Sequence, residues 1–300
     1  MPTYTKDTCP IRGSSRFRVI GGVDVDRSRI TPPNQSSIVA CSECDLVYVN
    51  PTPHWTDEDF HDLYGHGYFE EYSPGWRRKR ARAIPQRRSS LIDKHVQSSS
   101  KTMLEFGAGV HPFMSRHMAD RGWKVTAQEP SRVFAEELRR IDPRITVLET
   151  PFLEIPSDKK YSLVYADSVL EHVPNPTDYF TKAADLLEPG GILYFVSPNE
   201  FALTNKILTF KNKYSNRVAH QLCPYHDSFH LIGYSRKAVG KIEETTGLRL
   251  LQFIRKHDFR SFRILEDVEG VLKYPKAVTF YLMDRLGLGL NLEVILRAEG

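Results

Sequence analysis

The sequence is poor in cysteine and has no long apolar run. Four cysteines among 300 residues are too few for a scaffold held by disulfides, so we expect these thiols to be metal ligands or core residues in a reducing compartment. No stretch approaches the roughly 20 apolar residues that span a bilayer, and the first residues lack the apolar segment of a secretory signal. The sequence therefore predicts a cytoplasmic protein without a membrane partner.

A strong excess of charge of either sign is also missing. The 41 lysines and arginines nearly balance the 37 acidic residues and leave a formal net charge of +4, whereas dedicated nucleic-acid binders usually carry a dense basic face. A hydrophobic content of 40% with 26% charged residues is typical of a globular protein with a sizeable core. The length indicates one large domain with an attachment.

A glycine-rich turn follows a short apolar run in the first half of the chain. Residues 102–106 predict a strand, Gly107 and Gly109 predict a tight turn, and Pro112 suits the first turn of a helix. Glycine adopts positive φ and has no Cβ, so a ligand can lie against the backbone of such a turn. Because Pro112 replaces the last glycine of a dinucleotide fingerprint, the pattern argues against a pyrophosphate site.

Acidic residues stand beside this turn in the predicted fold. Glu105 precedes the turn, and Glu129 ends the next apolar run, residues 123–128. A carboxylate at the end of the second strand of a Rossmann unit accepts hydrogen bonds from both hydroxyls of a ribose. The position of Glu129 therefore predicts a ribose ligand.

Three motifs in order give a resemblance to a known family. Glu-x-Gly-x-Gly at 105–109 is followed by Leu-Glu-His-Val-Pro at 170–174 and by Leu-Glu-Pro-Gly-Gly at 187–191. With these motifs, residues 103–199 resemble a class I S-adenosylmethionine-dependent methyltransferase of the type 11, 12 and 23 group. His111 departs from the pattern, since the family usually has a third glycine there.

The alternation of strands and helices, together with this resemblance, implies a Rossmann-like α/β fold. We expect a mostly parallel seven-stranded sheet with helices on both faces, residues 291–297 as its antiparallel strand, and S-adenosylmethionine as cofactor. The cofactor ligands implied at the carboxyl ends of the strands are Glu105, Gly107, Ala108, Gly109, Glu129, Pro130, Phe152 and Asp167. Phe152 could instead be a core aromatic residue, and both options stay open.

His172 is the candidate catalytic base. A histidine titrates near neutral pH, and this one follows the strand where related enzymes place groups near the transferred methyl. A base is needed only when the acceptor is a hydroxyl or an acidic carbon that must lose a proton. The alternative is a structural role, in which His172 orients its loop through hydrogen bonds.

The N-terminal cysteines match an incomplete zinc ribbon. Cys9, Cys41 and Cys44 supply three thiolates, but Arg12 stands where the first Cys-x-x-Cys pair would have its second cysteine. A complete zinc site would need a nearby histidine such as His54 or His61. We therefore favour a degenerate ribbon without metal over a zinc site.

The attachment carrying these cysteines resembles that of a methyltransferase subgroup. Residues 41–53 resemble its ribbon-bearing N-terminal module, and many of its members act on sugars or other small metabolites. We expect residues 1–75 to form this zinc-ribbon-like module with a tyrosine-rich lid, and residues 76–300 to form the methyltransferase domain. The long insertion at 200–234 is a candidate acceptor lid. Expected substrate contacts are Tyr68, His226 and His230.

One dense basic run spans residues 76–88. Such a run beside a tryptophan suits contact with RNA or another anionic surface. Apolar residues recur at helical spacing through it and just beyond it, at Ala81, Ile84, Leu91 and Ile92, so we favour a helix whose arginines lie on its solvated face.

These patterns favour methyl transfer to a small-molecule acceptor, with a hydroxyl of a sugar, glycan precursor or secondary metabolite as the leading class. A nucleic-acid partner is not expected on this interpretation. Two alternatives stay open: an RNA methyltransferase that uses the run at 77–88, and an inactive binding subunit that kept the fold, which His111 would fit. The oligomeric state is open, with a homodimer as one option.

Overall fold

The computed structural model describes residues 3–4, 8–22, 37–51, 53–54, 74–109, 111–203, 205–207, 230–256, 278 and 281–299. Of residues 3–4, 53–54 and 74–82 it describes the backbone alone. The expected contacts Tyr68 and His226 lie outside the described residues, as do most of the two predicted lid segments.

The N-terminal part of the chain forms small antiparallel sheets. Its strands are β1 (Thr3–Tyr4), β2 (Phe17–Gly22), β3 (Ser37–Cys41), β4 (Val47–Asn50) and β5 (Pro53–His54). Strands β2, β3 and β4 pair in one antiparallel sheet, and β1 pairs with β5.

The rest of the chain alternates helices and strands. In order these are α1 (Pro74–His95), β6 (Thr102–Phe106), α2 (Phe113–Asp120), β7 (Lys124–Gln128), α3 (Arg132–Ile141), β8 (Thr146–Leu148), a 3₁₀ turn (Phe152–Glu154), β9 (Tyr161–Asp167), α4 (Pro176–Leu186), β10 (Leu187–Pro198), β11 (Ile232–Gly233), α5 (Arg236–Thr246), β12 (Leu248–Lys256) and β13 (Asn291–Ala298). None of the described helices has the length and apolar character of a membrane span.

Seven of these strands form the central sheet, in the order β12-β13-β10-β9-β6-β7-β8. The five strands from β10 to β8 run parallel, and β13 lies antiparallel between β10 and β12. The Rossmann-like α/β fold with a mostly parallel seven-stranded sheet is therefore confirmed, and so is the antiparallel strand expected at 291–297. Parallel strands end at one edge, where ligands of such sheets bind.

Successive side chains of the central strands enter cores on opposite faces of the sheet. Leu104 and Val164 belong to one apolar core, whereas their neighbours Met103 and Leu163 belong to the other. This alternation is the two-residue period of a strand, and strands buried on both faces are continuous apolar runs in the sequence. Helices cover both faces as a result.

The small N-terminal sheet is built into this domain. Strand β11, from the C-terminal third of the chain, pairs antiparallel with β4 and becomes the edge strand of that sheet. Buried residues of the N-terminal part, among them Val39 and Tyr48, share one apolar core with the central sheet. The two parts therefore pack as neighbours with a common interior.

Candidate active site

The turn after β6 has the backbone that the sequence predicts. Gly107 and Gly109 have φ values of 64° and 59°, which favour glycine because a Cβ is strained there. A Cβ on Gly107 would lie 2.8 Å from Cγ2 of Val169. The turn therefore keeps bare backbone at the sheet edge, where a bound molecule can approach closely.

Glu129 lies at this edge and holds the turn. Its carboxylate accepts hydrogen bonds from the backbone N–H of Gly109 at 2.8 Å and of Ser131 at 2.9 Å. The side chain is buried, and burial raises its pKa above the ordinary value. A carboxylate in this position can accept further hydrogen bonds from the hydroxyls of a ribose.

Glu105 supports the start of α2. Its carboxylate accepts hydrogen bonds from the hydroxyl and, at 3.1 Å, from the backbone N–H of Ser115. Burial raises the pKa of Glu105 to about 7. In this structure the side chain therefore joins β6 to the helix after the turn.

Gln128 is a residue of this site that the sequence reasoning missed. Its Oε1 accepts a hydrogen bond from the N–H of Gly107 at 3.2 Å, and its Nε2 donates to the carbonyl of Thr150 at 3.1 Å. Its backbone carbonyl accepts a hydrogen bond from the backbone N–H of Ala108. Its place at the end of β7, next to Glu129, was the available signal.

Asp167 lies at the end of β9 and forms an ion pair with Arg88. The distance from Nη1 of Arg88 to Oδ2 of Asp167 is 2.7 Å. Arg88 is wholly buried, and its Nη1 also donates to the hydroxyl of Tyr165. This pair places a positive and a negative group together beside the glycine turn.

The inward position of two arginines corrects the expectation that the basic run lies on a solvated face. Arg87 and Arg88 of α1 both pair with Glu293 of β13, which is itself fully buried. Although burial opposes ionisation, hydrogen bonds from Arg87 help to hold the pKa of Glu293 at about 2. Ion pairing is thus the reason that these arginines face the sheet.

The other two implied cofactor residues differ in their surroundings. Phe152 is buried in a stack of three rings, with its centroid 4.1 Å from that of Phe106 and 5.9 Å from that of Tyr179. Pro130 is exposed after Glu129. Stacking of Phe152 on an adenine and a cofactor contact of Pro130 both stay predictions. Phe152 is also a core residue, which is the other option left open for it.

A cluster of ionisable side chains follows β9. Nε2 of His172 and Nε2 of His230 lie 3.9 and 4.0 Å from Oε1 of Glu171. The two imidazole rings meet edge to face with centroids 4.7 Å apart, and all three side chains are buried. The structure thus brings together two of the predicted residues, and it adds Glu171, which the sequence reasoning left without a role.

The three N-terminal cysteines converge as the knuckle pattern predicts. Their Sγ atoms lie within 4.8 Å of one another, and Cys9 and Cys44 share a hydrogen bond at 3.6 Å. This hydrogen bond lowers the pKa of Cys9 to about 6 and raises that of Cys44. Three thiols therefore fit a metal.

No fourth ligand joins this set among the residues that the structure describes. At the place of the missing cysteine, Arg12 pairs with Glu43 at 2.9 Å, and its backbone N–H bonds to Sγ of Cys9. The side chain of His54 and all of His61 lie outside the described residues. Zinc binding at the three cysteines stays a prediction.

Comparison with known proteins places these features in a family. Residues 76–252 match the family described as a methyltransferase domain. The tRNA U34 carboxymethyltransferase of Pseudoalteromonas atlantica is 23% identical over 202 residues, 64% of this chain and 59% of that protein. The ubiquinone biosynthesis O-methyltransferase of Stutzerimonas stutzeri is 31% identical over 120 residues, 37% of this chain and 50% of that protein. The chain thus spans 59% and 50% of the lengths of these relatives.

A solved structure shares the fold. The geranyl diphosphate C-methyltransferase of Streptomyces coelicolor A3(2) superposes with a TM-score of 0.51 at 13% identity, over 81% of this chain and 97% of that chain. At this identity the likeness concerns the fold alone. Because the family match covers more than half of the sequence, the chain belongs to the methyltransferase domain family, that of the class I S-adenosylmethionine-dependent methyltransferases.

Proposed function

We propose that this protein transfers a methyl group from S-adenosylmethionine to a hydroxyl oxygen of a small molecule. The observation that carries the proposal is the position of His172. This buried imidazole follows β9 at the sheet edge that also holds the glycine turn and Glu129. A group able to act on a hydroxyl proton would then lie on the same edge as the methyl donor.

The residues of the turn fit the cofactor. Gly107 and Gly109 offer backbone that no Cβ covers, and Glu129 offers a buried carboxylate for a ribose. The paired charges of Asp167 and Arg88 suit the amino-acid end of the molecule. When bound, the cofactor supplies a methyl group already activated by its sulfonium.

The remaining catalytic work is positioning and removal of a proton. A buried site can hold the acceptor oxygen in line with the bond that breaks and keep water out. A hydroxyl must also lose its proton during attack, which requires a base or a cation beside the oxygen. His172, with Glu171 and His230 against it, is the group proposed for this task.

The acceptor class is proposed from several smaller observations. One relative is named for O-methyl transfer in ubiquinone biosynthesis and another for a tRNA, so both small and large acceptors occur among similar proteins. The inward position of Arg87 and Arg88 removes two charges from an RNA-binding face. The resemblance of residues 41–53 to a subgroup acting on sugars and small metabolites favours the small acceptor.

The domain division belongs to the proposal as well. We assign residues 1–75 to the zinc-ribbon-like module with its lid and residues 76–300 to the methyltransferase domain, with 200–234 as an acceptor lid. The pairing of β11 with β4 supports a role for the N-terminal module next to the acceptor. A cytoplasmic location remains a prediction from the sequence.

Titration calorimetry with S-adenosylmethionine, followed by an acceptor screen with methyl-labelled cofactor, tests the function. We expect cofactor binding and label transfer to a hydroxyl of a sugar, glycan precursor or secondary metabolite, with no transfer to tRNA. Transfer to tRNA alone would support the RNA alternative. Absence of cofactor binding would support the inactive-subunit alternative.

A further inference from the structure

The carboxylate of Glu171 is fully buried, and neither of its oxygens makes a hydrogen bond of ordinary geometry among the residues that the structure describes, although the hydroxyl of Ser197 lies near it. A buried carboxylate in this situation is costly unless it is protonated or paired with a cation. In its ionised form this carboxylate therefore requires a positively charged partner, because the site keeps it from water.

Two histidines lie beside this carboxylate, slightly too far away for a hydrogen bond. Nε2 of His172 and of His230 lie 3.9 and 4.0 Å from Oε1 of Glu171, beyond hydrogen-bond range. The three ligand atoms nevertheless lie within 4.8 Å of one another. Ligands of a tetrahedral zinc ion are about 3.4 Å apart, so closure around an ion needs movements of about one ångström.

The backbone holds these side chains in place. The N–H groups of Leu231 and Ile232 both donate to the carbonyl of Glu171, at 2.7 and 3.1 Å, so the segment that carries His230 is fixed against the loop that carries His172. Ligand residues that are already held in place lose less conformational entropy when they bind a metal.

The local charge also favours a cation. The carboxylates of Asp167 and Glu200 lie close enough to Glu171 to act on it electrostatically. Two imidazoles and one carboxylate are a ligand set for transition metals that leaves open positions, and Mg²⁺ would instead prefer oxygen ligands.

We propose that Glu171, His172 and His230 bind a divalent transition-metal ion, which takes the acceptor hydroxyl as a further ligand. The second part rests on the proposed function. With the ion bound, His172 would act through the ion as its ligand and not as the base itself. The ion would lower the pKa of the hydroxyl so that its proton passes to solvent as the acceptor binds; the oxygen would then form a bond to the methyl carbon, and the carbon–sulfur bond would break with the electron pair left on sulfur. The acceptor is then a molecule whose hydroxyl oxygen can ligate a metal.

A cobalt titration of the full chain, first freed of metal with a chelator, tests the site. Co²⁺ bound by nitrogen and oxygen gives visible ligand-field bands, whereas Co²⁺ at the cysteines adds a thiolate charge-transfer band, so the two sites are distinguished in one experiment. We expect a sulfur-free site that is weakened at least about tenfold by Glu171→Gln and by His230→Gln. His117→Gln should leave it unchanged, because His117 bonds to Ser89 on another part of the domain.

Binding of Co²⁺ at cysteine alone, or visible bands that both variants retain, would overturn the proposal. Should a variant fail to fold, proton NMR of the Co²⁺-loaded wild-type chain decides: two strongly shifted histidine rings support the site, and none overturns it. Calorimetry with S-adenosylmethionine tests the proposed function separately. Metal binding without cofactor binding would keep the site and reject that function, and cofactor binding with methyl transfer by metal-free protein would keep that function and reject the role of the ion in it.

Discussion

The hydroxyl of Ser235 donates a hydrogen bond to the backbone carbonyl of Cys44 at 2.5 Å, across 191 positions of sequence. The same oxygen accepts a hydrogen bond from the N–H of Ala238 at 2.9 Å and so caps α5. One buried side chain thus joins the cysteine cluster of the N-terminal module to a helix of the methyltransferase domain. Strand β11, just before Ser235, completes this junction through its pairing with β4.

Ser235→Ala should therefore destabilise the protein. The substitution removes the helix cap and leaves the carbonyl of Cys44 without this donor, and loss of a cap typically costs about 0.5–2 kcal/mol. Urea unfolding at equilibrium measures the effect. Ser90→Ala is the control, because Ser90 is exposed and bonds within its own helix; its change should stay within about 0.5 kcal/mol. Equal stabilities for the two variants would contradict the role given to Ser235.

Glu129→Ala should weaken binding of S-adenosylmethionine by about 1–3 kcal/mol, the usual cost of losing hydrogen bonds to a charged group. The variant also frees the N–H groups of Gly109 and Ser131 that Glu129 now holds, so the glycine turn loses support. Titration calorimetry gives the affinity. Glu136→Ala is a matched control, because Glu136 is exposed on α3 and pairs with Arg132. Unchanged affinity for Glu129→Ala would reject Glu129 as a ribose ligand.

Glu105 should make the protein less stable as the pH rises from about 4.5 to 7. Its pKa is about 7 in the folded chain, above the ordinary 4.5, so the folded state retains a proton that the unfolded state has released. The resulting cost is absent below pH 4.5 and complete above pH 7, where it reaches on the order of 3 kcal/mol.

Glu105→Gln removes this titration and keeps an oxygen that can accept from Ser115. Between pH 5 and pH 8 the wild type should therefore lose more unfolding free energy than the variant does. Denaturant unfolding at both pH values measures it, with Glu149→Gln, an exposed site, as control. The same pH dependence in Glu105→Gln and wild type would contradict the raised pKa.

Sequence patterns captured the parts of this structure that depend on local chemistry. Ser235 caps α5 and Gly247 ends it in the left-handed region with φ 70°, and serine and glycine are the residue types that favour these two positions. Helix α3 likewise begins after a serine, Ser131, but the hydroxyl of Ser131 makes no cap hydrogen bond. The neighbouring Glu129 instead binds the N–H of Ser131.

Such local patterns do not predict contacts between residues that are far apart in the sequence. The burial of Arg88 depends on Asp167 and Glu293, which are 79 and 205 positions away, and an arginine in a basic run is indistinguishable from its exposed neighbours by composition. The meeting of Glu171 with His230 likewise depends on the pairing of β11 with a strand of the N-terminal module. The motif at 170–174 contains Glu171, but it does not predict that His230 lies next to it.

The three cysteines should hold about one equivalent of zinc if a fourth ligand exists. Purified protein would then lose stability in its N-terminal part when treated with a chelator. Metal analysis and melting curves measure this. Cys41→Ser should abolish that equivalent, and Glu171→Gln should preserve it. Metal-free protein with an unchanged melting curve would favour the degenerate ribbon.

His172→Ala should lower methyl transfer to a hydroxyl by about 10²–10⁴-fold, the usual contribution of a group that removes a proton in the transition state. Cofactor affinity should change little, because the cofactor ligands proposed on the turn are Gly107, Gly109 and Glu129. Turnover with labelled cofactor and calorimetry on the same preparation separate the two effects. His117→Ala serves as the control for loss of an imidazole elsewhere, since it contacts Ser89. Should His172→Ala retain a rate near that of wild type on a hydroxyl acceptor, neither a base nor a metal ligand at this position would be required, and positioning of the acceptor would account for the catalysis.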